Sequence, residues 1–151
     1  MAYTATLFLH SLLLPSLAVA APVTVKFPNL PAEVSVPAGQ KLRIVMPKAQ
    51  LSRMQPSGAQ YAGVSLYRVN LQYQVDGGAV QTIPIAQPHY NGQGGYDGTT
   101  GKRSVSIAVP ETAQHVQYWL QGTGMIPNAA NVGPAVYYSN YGQNFKIDVR
   151  H

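Results

Sequence analysis

A chain of 151 residues with no cysteine and only 10% charged residues has room for one domain of ordinary size, held by packing and not by disulfides or thiolate metal sites. Its formal net charge of +5 comes from scarce acids more than from a basic surplus. Lys and Arg stand singly along the chain, which argues against nucleic-acid or membrane-surface binding through a charged patch.

The composition of 14 Gly, 12 Pro and 10 Tyr suits short strands joined by turns. The one apolar stretch with a different look runs from Ala5 to Ala21 and ends in Ala18-Val19-Ala20 ahead of Ala21-Pro22. Small residues at Ala18 and Ala20 fit signal-peptidase cleavage, and the run is short for a membrane span. Residues 1–20 therefore read as a signal peptide and 21–151 as a single domain that is secreted, periplasmic or held at the cell surface. No stable membrane insertion is expected after cleavage. The leader lacks Lys and Arg, and His10 is the only side chain before Lys26 able to carry positive charge; an uncleaved anchor is the alternative.

Val23, Val25 and Phe27 alternate with Thr24 and Lys26, the period of a strand with one buried face. Val34 with Val36, and Leu42, Ile44 and Met46, read as two more strands around the turn at Pro37-Ala38-Gly39-Gln40. From Pro47 to Gly63 the alternation dissolves, and a long surface loop is expected. The longest alternation follows, Tyr67 through Val75, then Asp76-Gly77-Gly78 and a return carrying Val80, Ile83 and Ile85. Asp-Gly between alternating runs predicts a type I′ hairpin, because both central positions need positive φ.

Residues 88–101 are Gly-rich and read as a loop without a core of its own. Val105, Ile107 and Val109 resume a strand. From His115 to Gln121, Val116, Tyr118 and Leu120 share one face, with His115, Gln117 and Trp119 on the other. An irregular stretch from Gly122 to Pro134 precedes Ala135–Tyr138, a turn at Ser139-Asn140-Tyr141-Gly142, and a last strand with Phe145, Ile147 and Val149. Eight or nine short strands of this kind predict an all-β fold, an immunoglobulin-like antiparallel β-sandwich. Up-and-down barrels share the pattern.

Enzyme constellations are poorly served. Five acids are available, and Asp76 suits its turn while Glu111 and Asp148 suit exposed strand positions. His89, His115 and His151 show no metal-ligand spacing, and the Gly-rich segment has neither a Walker lysine nor a helix start. No catalytic residue, metal or cofactor is assigned. The distinctive chemistry is aromatic and amide, in Trp119, Tyr137, Tyr138, Asn140, Tyr141, Asn144 and Phe145. Rings stack on the apolar faces of sugars, and amides offer donor and acceptor to hydroxyls. The same rings also suit a core, and the segment from Ser139 to Gly142 a plain turn.

Tyr137-Tyr138-Ser139-Asn140-Tyr141-Gly142-Gln143-Asn144-Phe145 resembles the closing Trp-Asp-Asn-Asn-x-Gly-x-Asn-Tyr segment of immunoglobulin-like starch- and glycogen-binding modules, and suits a group of uncharacterised bacterial domains with the same terminal pattern. Asn140, Gly142 and Asn144 match identically, while Tyr138 and Ser139 replace an Asp and an Asn of the motif. The resemblance spans roughly residues 64–150 and implies a stacking role for Tyr137. Alternation adds Trp119 independently. The expected ligand-binding residues are Trp119, Tyr137, Asn140, Tyr141 and Asn144, and the expected partner is a glucan or other polysaccharide. The alternative is a structural or protein-interaction domain whose Tyr-rich face meets a surface protein. N-terminal sequencing of the protein recovered from outside the cytoplasm should begin at Ala21; recovery of intact Met1 there would contradict the assigned cleavage site.

Overall fold

The computed structural model describes residues 20–27, 34–101, 104–126, 129–139 and 141–151. The expected leader, apart from Ala20, lies outside the described residues. In chain order the elements are β1 (Val23–Lys26), β2 (Ser35–Pro37), β3 (Lys41–Val45), α1 (Lys48–Arg53), β4 (Gln60–Tyr61), β5 (Val64–Ser65) and β6 (Tyr67–Val75). They continue with β7 (Gln81–Tyr90), β8 (Tyr96–Gly101), β9 (Ser104–Ala108), β10 (His115–Ile126), β11 (Ala129–Tyr138) and β12 (Phe145–Arg150).

Among the described residues the chain is all-β apart from α1 and is arranged as a sandwich. A three-stranded sheet, ordered β1-β3-β9, faces a larger one ordered β2-β12-β10-β6-β7-β8, with β11 also on β10. Alternation predicts which side chains face inward: Val25, Leu42, Ile44 and Ile107 from the small sheet meet Val69, Leu71, Val116, Leu120 and Ile147 from the large one in a single apolar cluster. Each such side chain withdrawn from water contributes about 1.5–3 kcal/mol. Most pairings are antiparallel, but β1 runs parallel to β3 and β2 parallel to β12.

Three segments read from sequence as loops contain regular structure. Within 47–63, α1 follows Pro47, and Leu51 and Met54 fall one turn apart on its buried side. Ala59 is also buried, and β4 pairs with β5. Scattered apolar residues here plug the end of the sandwich instead of forming a face, so no period announces them. Within 88–101, β8 pairs back on β7 through Pro88–Thr99 and Tyr90–Tyr96. The tip holds because Asn91 Oδ1 accepts from the backbone N–H of Gln93 and Gly95 at 2.9 and 3.2 Å, while Tyr90 and Tyr96 meet edge to face at 5.7 Å. Within 122–134, β10 continues to Ile126 and β11 returns alongside it, with shifts in register around Gly124. These additions raise the strands beyond the eight or nine expected.

Glycine has a steric reason in that extension. A Cβ on Gly122 would collide with the backbone oxygen of Met54, so the bare backbone of β10 is what admits the turn after α1. The β6–β7 turn is the predicted one. Asp76 and Gly77 have φ of 50° and 70°, and Gly78 N–H donates to Val75 O at 2.8 Å. The Asp76 carboxylate does more than suit the turn: it accepts from the backbone N–H of His115 at 2.8 Å and of Gln114 at 2.9 Å, tying the hairpin tip to the start of β10. Those bonds, led by that from His115, hold its carboxyl below the ordinary aspartate range, with the imidazoles of His115 and His151 adding to the effect.

Gly122→Ala should destabilise the fold by about 1–3 kcal/mol or more through overpacking, read as a lower urea midpoint; an unchanged midpoint would contradict the close approach of Met54. Because the folded-state pKa of Asp76 is depressed, its contribution is present above the unfolded pKa and is lost as pH falls through the folded one. Asp76→Asn should therefore melt below the parent at neutral pH, with the gap closing in acid; a gap independent of pH would contradict this role.

Candidate functional site

The solvent face of the large sheet is built outward from β10. With Val116, Tyr118 and Leu120 inward, the intervening Gln117, Trp119 and Gln121 must face out. Register supplies their neighbours. Gln117 lies opposite Gln74 on β6, Trp119 opposite Gln72, and Gln121 opposite Asn70 on one side and Tyr137 of β11 on the other. Trp119 and Tyr137 are thus diagonal neighbours across β10 and β11, a relation that places residues about 7–8 Å apart.

The amides between them are joined. Thr82 Oγ1 on β7 donates to Gln72 Oε1 at 2.7 Å, Gln72 Nε2 donates to Gln121 Oε1 at 2.8 Å, and Gln121 Nε2 donates to the Tyr137 hydroxyl at 3.0 Å. A fourth bond, Gln74 Nε2 to Gln117 Oε1 at 2.7 Å, runs parallel to them. One chain of hydrogen bonds therefore crosses four strands, and each bond polarises the next. Its direction leaves the Tyr137 hydroxyl as acceptor from Gln121, with its own proton free to donate outward.

The turn after Tyr137 has an origin in topology. Leu120 pairs with Tyr138 of β11, and Tyr118 pairs with Phe145 of β12, both antiparallel. Since β6 occupies the other edge of β10, β11 and β12 are one strand position interrupted by residues 139–144, and the interruption falls opposite Trp119. Asn144 N–H donates to Ser139 O at 2.8 Å to close it, and φ is positive at Tyr141 (57°), Gly142 (86°) and Asn144 (59°). Gly takes such a conformation freely and Asn readily, whereas Tyr141 bears strain there.

The expected site residues separate on this frame. Trp119 is half-buried on the outer face, and Tyr137 is 57% exposed and joined to the amide chain. Tyr141 stands fully exposed at the tip of the excursion, and Asn144 is half-buried at its end. Asn140 lies outside the described residues. Tyr138 and Phe145 pack inward, stacked with centroids 6.0 Å apart, beside Phe27 and Tyr118. The Tyr118 hydroxyl is buried with no partner among the described residues, and burial pushes its pKa well above the phenol range.

Nothing in the sequence singles out Gln72, Gln74, Gln121 or Thr82; Gln72 and Gln74 fall two apart on β6, but only register shows that these side chains meet. No group of three His, Asp or Glu side chains placed to hold a metal ion occurs among the described residues.

The chain belongs to a family of unknown function, DUF6209, whose model matches residues 20–150. No curated protein and no solved structure matches it.

Proposed function

We propose that this member of DUF6209 is an exported, non-enzymatic binding module that takes a neutral polysaccharide, a glucan foremost, on the outer face of its large sheet. The observation that carries the reading is the hydrogen-bonded row from Thr82 through Gln72 and Gln121 to Tyr137, with Trp119 beside it. Gln side chains lose about 1.5–2 kcal/mol of rotamer freedom when immobilised; in this row part of that loss is met before a ligand arrives, which favours weak polar contacts that must add up. The row is uncharged, as suits hydroxyls. Trp119 and Tyr137 supply ring surface for stacking, and the outward proton of Tyr137 supplies a donor.

The alternative, a surface for another protein, draws on Tyr141, whose ring is fully exposed on the excursion; aromatic residues of that kind are enriched at interfaces.

Electrophoresis through native gels containing soluble starch, glycogen, mixed-linkage glucan or xylan tests the reading. Wild type should be retarded by at least one, and Trp119→Ala and Tyr137→Ala should lose the retardation while losing much less than the roughly 3–5 kcal/mol that removal of a core aromatic costs. No retardation of wild type by any polymer, or core-sized stability losses in both variants, would turn the assignment to the protein-contact alternative.

A further inference from the structure

A second site lies where β7 and β8 meet α1 and the start of β6. One cleft of about 340 Å³ lies between α1 and the strands, with Lys48, Leu51 and Tyr67 in its wall. Another of about 430 Å³ has Ile83, Pro84 and Ile85 in its wall. The two share Ala86, Thr100 and Gly101, and each is within the range of small-molecule pockets.

The shared wall follows from local backbone. A register shift between Val69 and Asn70 turns consecutive residues Ile85 and Ala86 both into the interior, at 2% and 3% exposure. Gly101 lies directly on them: a Cβ there would be 2.7 Å from Ile85 O. A side chain at that position would fill the junction between the clefts.

Chemistry differs between the ends. Ile83 and Pro84 expose apolar surface at one end. At the other, Lys48 is exposed and forms no ion pair with any described residue, and no acidic residue lines either cleft. Tyr67 is only 8% exposed, yet its hydroxyl has no hydrogen-bond partner among the described residues, and burial raises its pKa, keeping it a donor. An ammonium and a phenolic donor beside an apolar trough fit a carboxylate head followed by a hydrocarbon tail.

We infer that this groove is a binding site for an amphiphilic carboxylate of the fatty-acid type, its head at Lys48 and Tyr67 and its tail along Ile83 and Pro84. The head position is separate from the polysaccharide face, since Tyr67 and Gln72 lie on opposite sides of β6.

Calorimetric titration of the exported protein with decanoate, decan-1-ol and decyltrimethylammonium is the test. Decanoate should saturate a single site. Lys48→Met should weaken it about tenfold, the loss of one charge-assisted contact, and leave decan-1-ol binding unchanged; Tyr67→Phe should weaken decanoate while keeping the ring. Thr100→Trp, a substitution at an exposed position on the shared wall, should abolish binding without lowering the melting temperature. Trp119→Ala should bind decanoate as wild type does, so that failure of either site is read independently. No saturable decanoate binding, equal affinity in Lys48→Met, full binding by Thr100→Trp, or decyltrimethylammonium binding as tightly as decanoate would each overturn the assignment.

Discussion

Strand β10 carries the structure because both of its edges and both of its faces are engaged at once. Along one edge it is paired with β6 from Val116 to Gly124. Along the other it is paired first with β12 and then with β11. Its inner face supplies Val116, Tyr118 and Leu120 to the centre of the core, and further along it is bare at Gly122 so that Met54 can close the end. Backbone groups buried this deeply must be paired, and β10 meets that demand by taking two successive partners on one edge.

The change of partner has consequences on the outer face. Two strands that share one position must be joined by chain that leaves the sheet, and residues 139–144 do so opposite Trp119. The same event places Tyr137 at the end of β11, where the amide of Gln121 reaches its hydroxyl. The positive φ values at Tyr141, Gly142 and Asn144 are those of an excursion that has to turn sharply and rejoin the edge it left. Beneath it, Phe27, Tyr118, Tyr138 and Phe145 form an aromatic layer. Their packing offsets the buried Tyr118 hydroxyl, which has no partner among the described residues and is a group of a kind that costs about 1–3 kcal/mol.

The two faces of β6 and β7 divide the polar and apolar chemistry. Outward, Gln72, Gln74 and Thr82 join their neighbours in hydrogen bonds. Inward, Leu71, Ile85 and Ala86 are buried, and the clefts open where β7, β8 and α1 meet. What marks the cleft beside α1 is Lys48, which forms no ion pair with any described residue.

Where a strand has one wet face, alternation in the sequence is sufficient to assign it, because a slip of one residue would expose the whole apolar set. The strands at Val23, Leu42, Tyr67, Val105, Val116 and Phe145, the inward sides of each and the Asp76-Gly77 turn were all legible on that ground. Alternation also placed Trp119 on the outward face, while Tyr137 entered only through the resemblance of its segment. Three-dimensional packing decided the remainder. The burial of Leu51, Met54 and Ala59 has no period, since those residues cap the core from its end. The ladder at 88–101 depends on side chains such as Asn91 bonding a Gly-rich backbone that has little preference of its own. The amide row and the groove both depend on register between strands far apart in the chain, and register is set by the core as a whole and by no local run of residues.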